Sequence, residues 1–273
     1  MLTRVIVAVV AIPVLLLVIF YAPYWALGIV TGIIAAFSAW ELLRCIKREV
    51  SPRLSAYAAV TAFCIPFLCV FYNASRVCEL MLFFLVAVLF CELMLSFRRK
   101  QRLEFSVVSA AVLAGGVFPI LLSGIVWLGG LRDGRVYALL PFVAAFSSDS
   151  GAYLAGSALG RHLLTPTLSP HKTLEGSVGG FLLSVLLMLV YGLILRSFGY
   201  TVNFAVMGVY GFLGSLAAQL GDLSFSAIKR EYSIKDYGNL IPGHGGMLDR
   251  FDSMIWVAPL LDILVRWVPA IHK

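Results

Sequence analysis

The chain has 273 residues, of which 61% are hydrophobic and 13% charged, and carries a net charge of +7 from 21 Lys and Arg against 14 Asp and Glu. Soluble domains run nearer half apolar and a quarter charged, so this composition, with a mean hydropathy of +0.96, excludes an ordinary soluble domain and implies a set of membrane helices. The basic excess then points to loops that hold topology and face anionic lipid, and not to nucleic acid.

A spanning helix needs roughly 20 apolar residues, because the hydrocarbon core is about 30 Å thick and each residue rises about 1.5 Å. Nine stretches approach that length, at about 3–21, 24–43, 54–72, 79–97, 104–129, 136–158, 177–198, 203–227 and 252–270. The expected fold class is all-α, an integral membrane protein of about nine transmembrane helices with short loops. The first stretch, preceded by Arg4, has some features of a signal peptide, but its length and the Ala22-Pro23 context favour a spanning helix. Residues 1–135 are read as the N-terminal transmembrane helices (1 to 5). Residues 136–273 are read as a catalytic transmembrane region, helices 6 to 9 with two motif loops. Alternating the segments puts 15 of the 21 Lys and Arg on the side of Arg4 and six on the other. That bias predicts a cytoplasmic N-terminus, an external C-terminus and cytoplasmic loops at 159–176 and 228–251. Cys45, Cys64, Cys69, Cys78 and Cys91 show no paired CxxC spacing and read as small buried hydrophobes.

Along the chain, Glu41 and Glu92 stand near helix ends or outside any motif and are assigned structural roles. Asp149 and Tyr153 lie one turn apart toward the end of the sixth helix. The next loop reads Ser169-Pro170-His171-Lys172-Thr173-Leu174-Glu175-Gly176. Its Lys172 and Thr173 suit phosphate, and Glu175 is placed to orient Lys172, although Ser-Pro loops are also common without a ligand. A charged side chain at a helix centre costs about 2.5–3.5 kcal/mol, so Asp222 is expected to face a polar cavity or a partner. Gln219, Asp222, Ser226, Lys229 and Arg230 recur at helical spacing and form one polar stripe on an apolar helix. The stripe begins with a carboxylate suited to Mg2+ and ends with cations suited to phosphate. Its alternative reading is a water-lined crevice without chemistry.

The loop beyond it carries Lys235, Asp236, Gly238 and then Gly243, His244, Gly245 and Gly246. Such glycines let a backbone approach a ligand and turn its N–H groups inward. Asp249 and Asp252 share a face at the start of the last helix, where an N-terminus favours anions. Asp149, Asp222 and Asp249 are thus three carboxylates expected to converge at one cytoplasmic mouth. Asp262 precedes Arg266 by one turn and reads as a local ion pair.

From Ser226 through Lys229-Arg230, Lys235-Asp236, Gly238 and Pro242-Gly243-His244-Gly245-Gly246 to Asp249-Arg250 and Asp252, the chain resembles the signature of the phosphatidate cytidylyltransferase (CDP-diacylglycerol synthase) family over 27 residues. The blocks at 149–156 and 169–176 are similar to two more of its motifs, so the resemblance covers about 146–252. Phe146, His171 and Leu174 depart from it, standing where the family often has Trp, Lys and Trp. The resemblance implies CTP and phosphatidate as substrates and CDP-diacylglycerol and pyrophosphate as products, within phospholipid biosynthesis. It also implies Mg2+, K+ as a candidate second cation near the same carboxylates, and a homodimer. By position the family's metal-binding aspartates fall on Asp222 and Asp249. Catalysis is then expected from Asp222, Asp249, Lys229, Arg230 and Lys235. Substrate binding is expected from Lys172, Thr173, Ser226, His244, Gly245, Gly246, Arg250, Asp149 and Tyr153. The expected location is the cell inner (cytoplasmic) membrane, multi-pass, with the active site facing the cytoplasm.

Such a transfer needs positioning and charge neutralisation more than covalent catalysis. A polar stripe inside an apolar helix suits a reaction that joins a lipid to a water-soluble nucleotide. Three rivals are weaker. A transporter for an organic anion would usually show internal repeats and polar residues in both halves. The CDP-alcohol phosphotransferases carry a motif of Asp pairs that is absent here. A non-catalytic scaffold leaves the motif unexplained.

Overall fold

The computed structural model describes residues 13–46, 50–98, 102–240 and 245–273. Most of the first expected span, with Arg4, Lys47, Arg48, Arg99, Lys100 and His244, lies outside the described residues. The chain divides into two compact units. One holds the residues up to Gly130 together with Tyr232–Phe251, and the other holds Leu131–Glu231 with Asp252–Lys273.

Among the described residues, five helical segments are long and apolar enough to cross a membrane: Tyr24–Cys45, Ala74–Ser96, Phe105–Gly129, Leu174–Ser197 and Phe204–Glu231. The other expected spans differ for identifiable reasons. Pro52–Leu68 is apolar but only 17 residues long. Gly134–Leu159 and Leu248–Trp267 are helices of 26 and 20 residues whose polar content keeps them out of that class. The all-α description fits, with two short antiparallel strand pairs beside the helices.

In the first unit the helices are α1 (13–20), α2 (Tyr24–Cys45), α3 (Pro52–Leu68) and α4 (Ala74–Ser96), followed by the broken segment Phe105–Gly129. Ser51 caps α3 by accepting the Leu54 N–H at 3.3 Å, with Pro52 at the first helical position, where its missing N–H is no loss. Asn73 caps α4 in the same way through Arg76. Helix α2 packs along α3 through Gly28 and Gly32, four residues apart. A Cβ on Gly32 would lie 2.8 Å from the Phe63 carbonyl oxygen, and one on Gly28 would strike Val70. Small residues at this spacing let helices approach closely where lipid tails supply no hydrophobic drive for association.

The segment Phe105–Gly129 comprises α5 (Phe105–Val112), a π-helical turn (Leu113–Val117), α6 (Phe118–Leu122) and α7 (Gly124–Gly129). Pro119 has no N–H to offer the preceding turn, and the Phe118 N–H reaches back five residues to the Leu113 carbonyl. Gly115 in this turn sits on α3, where a Cβ would be 2.6 Å from the Ala58 Cα. The Tyr24 hydroxyl donates to the Val126 carbonyl at 2.8 Å and ties α2 to α7.

The second unit is α8 (Gly134–Leu159), the hairpin β1 (Leu163–Thr165) and β2 (Ser169–Thr173), α9 (Leu174–Ser197), β3 (Thr201–Val202), α10 (Phe204–Glu231), the part of α11 (Leu248–Trp267) from Asp252 on, and β4 (Ile271–His272). Gly151 of α8 meets Gly179 of α9, and a Cβ on Gly176 would be 2.8 Å from the Ala152 carbonyl oxygen. The Ser184 hydroxyl on α9 is 2.9 Å from the Gly211 carbonyl of α10 and 3.3 Å from the Ala144 carbonyl of α8, so one donor joins three helices. Strand β3 pairs with β4. The Tyr137 and Tyr210 hydroxyls donate at 2.5 Å to the Ile271 and Val268 carbonyls and satisfy backbone acceptors beyond the end of α11. Asp262 and Arg266 form the ion pair their spacing predicts, at 2.8 Å. All five cysteines are free; Cys45 and Cys69 are buried as expected, whereas Cys91 is exposed.

Candidate active site

In the second unit the polar stripe of α10 is anchored at its inner end by Gln219. Its amide nitrogen lies 3.2 Å from the Ser177 carbonyl and 3.2 Å from the Ser215 hydroxyl, and the Ser177 hydroxyl donates to the amide oxygen. Ser215 in turn is 2.7 Å from Ser148 of α8, both fully buried. This polar chain lets an apolar helix carry a carboxylate one turn later without leaving buried donors open.

That carboxylate is Asp222, one third exposed, with the Lys172 ammonium 2.5 Å from Oδ2. The Ser226 hydroxyl donates to Oδ1 over 3.4 Å, a long bond. Lys172 comes from β2, so the hairpin brings the 169–176 motif onto the stripe. Gly221 precedes Asp222 because α11 passes close by: a Cβ there would be 3.0 Å from the Ser253 Cα and 3.1 Å from the Asp252 carbonyl oxygen. Asp252 is buried, accepts the Ser253 N–H at 2.6 Å and lies within electrostatic range of Asp222, Lys229 and Asp149. The structure therefore gathers Asp149, Asp222, Asp252, Lys172 and Lys229 within one unit.

Other residues of the motif turn out to support this geometry. Thr173, expected to meet phosphate, caps α9 by accepting the Gly176 N–H at 3.1 Å. Glu175 does not orient Lys172. It accepts the Arg161 and His162 N–H groups and lies 2.6 Å from the His162 ring, which fastens the start of the hairpin to α9. The nearer carboxylate for Lys172 is Asp222. The Arg230 Nε donates to the Leu168 carbonyl at 3.1 Å, joining the end of α10 to the hairpin turn. Asp149 and Tyr153 are exposed on α8.

In the first unit the motif occupies Tyr232–Phe251. Lys235, Asp236 and Arg250 are exposed. Asp249 Oδ2 accepts two backbone N–H groups, from Tyr237 at 2.8 Å and Gly246 at 3.1 Å. Gly245 lies between two carboxylates: a Cβ would be 3.2 Å from Asp249 Oδ2 and 3.5 Å from Asp236 Oδ1, and its φ of +84° favours glycine. The adjoining N–H groups, expected to face a ligand, are held by protein carboxylates. The Met247 and Leu248 N–H groups donate to Glu41, at 2.9 and 2.8 Å, and the Gly246 N–H donates to Asp249.

Glu41 and the burial of Asp252 are what the sequence-based site lacks. A carboxylate in an otherwise apolar helix is the available signal for Glu41, but its partners are more than 200 positions away. Asp222 in one unit and Asp249 in the other each offer carboxylate oxygens of the kind Mg2+ takes, one or two at a time together with substrate phosphates. Among the described residues no group of three or more His, Cys, Asp or Glu side chains is gathered closely enough to hold a metal ion.

The profile of the cytidylyltransferase family matches residues 2–268. The chain is 36% identical over 192 residues to the phosphatidate cytidylyltransferase of Staphylococcus saprophyticus, covering 70% of this chain and 72% of that one. It is 36% identical over 173 residues to the proteins of the same name from Staphylococcus haemolyticus and Staphylococcus aureus, covering 63% of this chain and 65% of each. The chain thus spans a little under two thirds of the length of these last two relatives. With the family profile running through both units and the motif residues grouped as described, this chain belongs to the cytidylyltransferase family.

Proposed function

We propose that this chain is a phosphatidate cytidylyltransferase that transfers CMP from CTP to phosphatidate, giving CDP-diacylglycerol and pyrophosphate in phospholipid biosynthesis. The observation that carries this reading is the Lys172–Asp222 pair, 2.5 Å apart, on the polar stripe of a helix long and apolar enough to cross a membrane. A lipid phosphate and a water-soluble triphosphate have to meet where charge is available on a membrane element. The name carried by the staphylococcal relatives supports the same activity.

In the proposed reaction a phosphate oxygen of phosphatidate attacks the α-phosphorus of CTP in line. The bond between the α-phosphorus and the bridging oxygen breaks, and pyrophosphate leaves. The attacking oxygen is already anionic near neutral pH, so no strong general base is required. Lys172, Lys229, Arg230, Lys235 and Arg250 bind the anionic groups, and Gln219 and Thr173 hold the elements that present them. Asp222 and Asp249 are the residues that would hold Mg2+, with K+ as a second cation near the same carboxylates. When bound, Mg2+ neutralises phosphate charge and stabilises the leaving group.

The same proposal includes about nine membrane crossings, a multi-pass protein of the cytoplasmic membrane with its site facing the cytoplasm, and a homodimer. It also includes the division into N-terminal helices over 1–135 and a catalytic region over 136–273. Purified protein given labelled CTP and phosphatidate, with and without Mg2+, is expected to form labelled CDP-diacylglycerol only with the cation. Absence of that product with both substrates and Mg2+ present rejects the activity.

A further inference from the structure

Glu41 stands on α2, far in sequence from every motif, yet it is the most thoroughly enclosed carboxylate among the described residues, with none of its surface exposed. Its two oxygens take consecutive backbone N–H groups, Oε1 from Met247 at 2.9 Å and Oε2 from Leu248 at 2.8 Å. These groups lie at the start of α11, where a helix leaves N–H groups without intrahelical partners. A Ser, Thr, Asp or Asn just before the helix usually accepts them. Here the preceding residue is Met247, which cannot, and α2 supplies the acceptor instead.

The backbone around Glu41 is built to admit it. A Cβ on Gly238 would lie 2.5 Å from Glu41 Oε1, and one on Gly246 would lie 2.7 Å from the same atom. Neither glycine has a positive φ, in contrast to Gly245. Their backbone conformations are open to other residues, so the constraint at these two positions is the space that Glu41 occupies.

The same stretch orients Asp249. Its Oδ2 takes the N–H groups of Tyr237 and Gly246, and the next two N–H groups along the chain, those of Met247 and Leu248, go to Glu41. Four backbone donors are thus shared between two carboxylates, and Asp249 cannot keep its orientation if residues 246–248 move.

We propose that Glu41 is a positioning residue, which holds Gly238 and Gly246–Leu248 in the register that aims the Asp249 carboxylate at its ligand. The proposal rests on the reading of Asp249 as part of the active site. Glu41→Gln keeps the shape but places an NH2 group against a backbone N–H. Gly238→Ala leaves every charge in place and intrudes on the same contact.

Hydrogen–deuterium exchange followed by mass spectrometry provides a readout independent of turnover. In Glu41→Gln, exchange in the peptide over 245–251 is expected to rise about tenfold while exchange elsewhere is unchanged. Turnover is expected to fall about 10- to 100-fold, the usual effect of removing a group that orients a ligand residue. The fall is expected in kcat, with KM for phosphatidate unchanged. The two substitutions act on one contact, so the double variant is expected to lose no more than the worse single variant. If Glu41→Gln does not accumulate in the membrane, Gly238→Ala carries the same measurements. Unchanged exchange at 245–251, or raised exchange with undiminished kcat, overturns the proposal. Asp249→Asn separates the two ideas. If it is inactive while Glu41→Gln has full activity, the site reading stands and Glu41 has no positioning role. If Asp249→Asn is fully active, the site reading itself fails, whatever the exchange at 245–251 shows.

Discussion

The ammonium of Lys172 lies 2.5 Å from Oδ2 of Asp222, joining β2, the strand before α9, to the C-terminal half of a membrane-length helix. The two side chains remain 27% and 33% exposed, so the pair is open to water and to ligand and is not a buried strut. Surface pairs contribute little to stability, and its residues are better placed to exchange partners when an anion or a cation arrives.

Asp222→Asn is therefore expected to leave expression and membrane insertion unchanged while lowering kcat at least about 100-fold. Lys172→Gln is expected to raise KM for CTP by about 10- to 150-fold, the worth of one charge-assisted hydrogen bond to phosphate. Steady-state kinetics at saturating Mg2+ decide it. Near-wild-type kinetics in either variant removes that residue from the site.

Lys235 provides a separate test of the first unit's motif. It is exposed and lies two residues after Ser233, whose φ of 54° is in the left-handed region. Lys235→Gln is expected to lower kcat/KM for CTP by about 10- to 150-fold without altering insertion. An unchanged kcat/KM would show that this cation does not meet the nucleotide.

Topology is testable with single cysteines at Thr167 and Asn239, after replacing the five native ones. Both positions are exposed in loops expected in the cytoplasm. An impermeant thiol reagent is expected to label them in lysed cells only. Labelling of intact cells from outside reverses the orientation and moves the motif loops away from cytoplasmic CTP.

The seam between α8 and α9 makes a prediction about stability alone. A side chain at Gly151 runs into the Gly179 carbonyl. Gly151→Leu is expected to cost about 1–3 kcal/mol or more through forced separation of the helices. Unfolding in mixed micelles measures it, and a variant as stable as the parent would mean the two backbones do not approach as described.

Much of the candidate site was legible because it depends on local spacing. The stripe from Gln219 to Arg230 follows from helical periodicity, whereas the contact of Lys172 with Asp222 replaces the Glu175 partner that local spacing suggests. Asp262 and Arg266 likewise find each other across one turn. What escaped the sequence depends on distant partners. Glu41 looked like an isolated acid because its donors, Met247 and Leu248, are 206 and 207 positions away. Thr173 looks like a phosphate ligand and Glu175 like a partner for Lys172, but backbone N–H groups reach both first. Hydropathy also overstates regularity. It sees 104–129 as one apolar stretch, although a proline and two adjacent glycines break it into pieces.

That break has its own consequence. In the π turn at Leu113–Val117 a carbonyl is met by the N–H five residues on, so one more residue is accommodated than an α-helical turn would take. Each residue of an α-helix advances the side-chain direction by about 100°. The two halves of Phe105–Gly129 therefore keep separate angular phases, and α6 and α7 present their buried residues in a direction α5 alone would not set. Were Leu113–Val117 to wind as ordinary α-helix with all its residues kept, every later side chain would swing by that angle, carrying Leu122, Ile125 and Val126 off their buried positions. The π turn thus decides which face α6 and α7 bury, and a substitution that favoured continuous α-helix there would act on packing a full turn or more away.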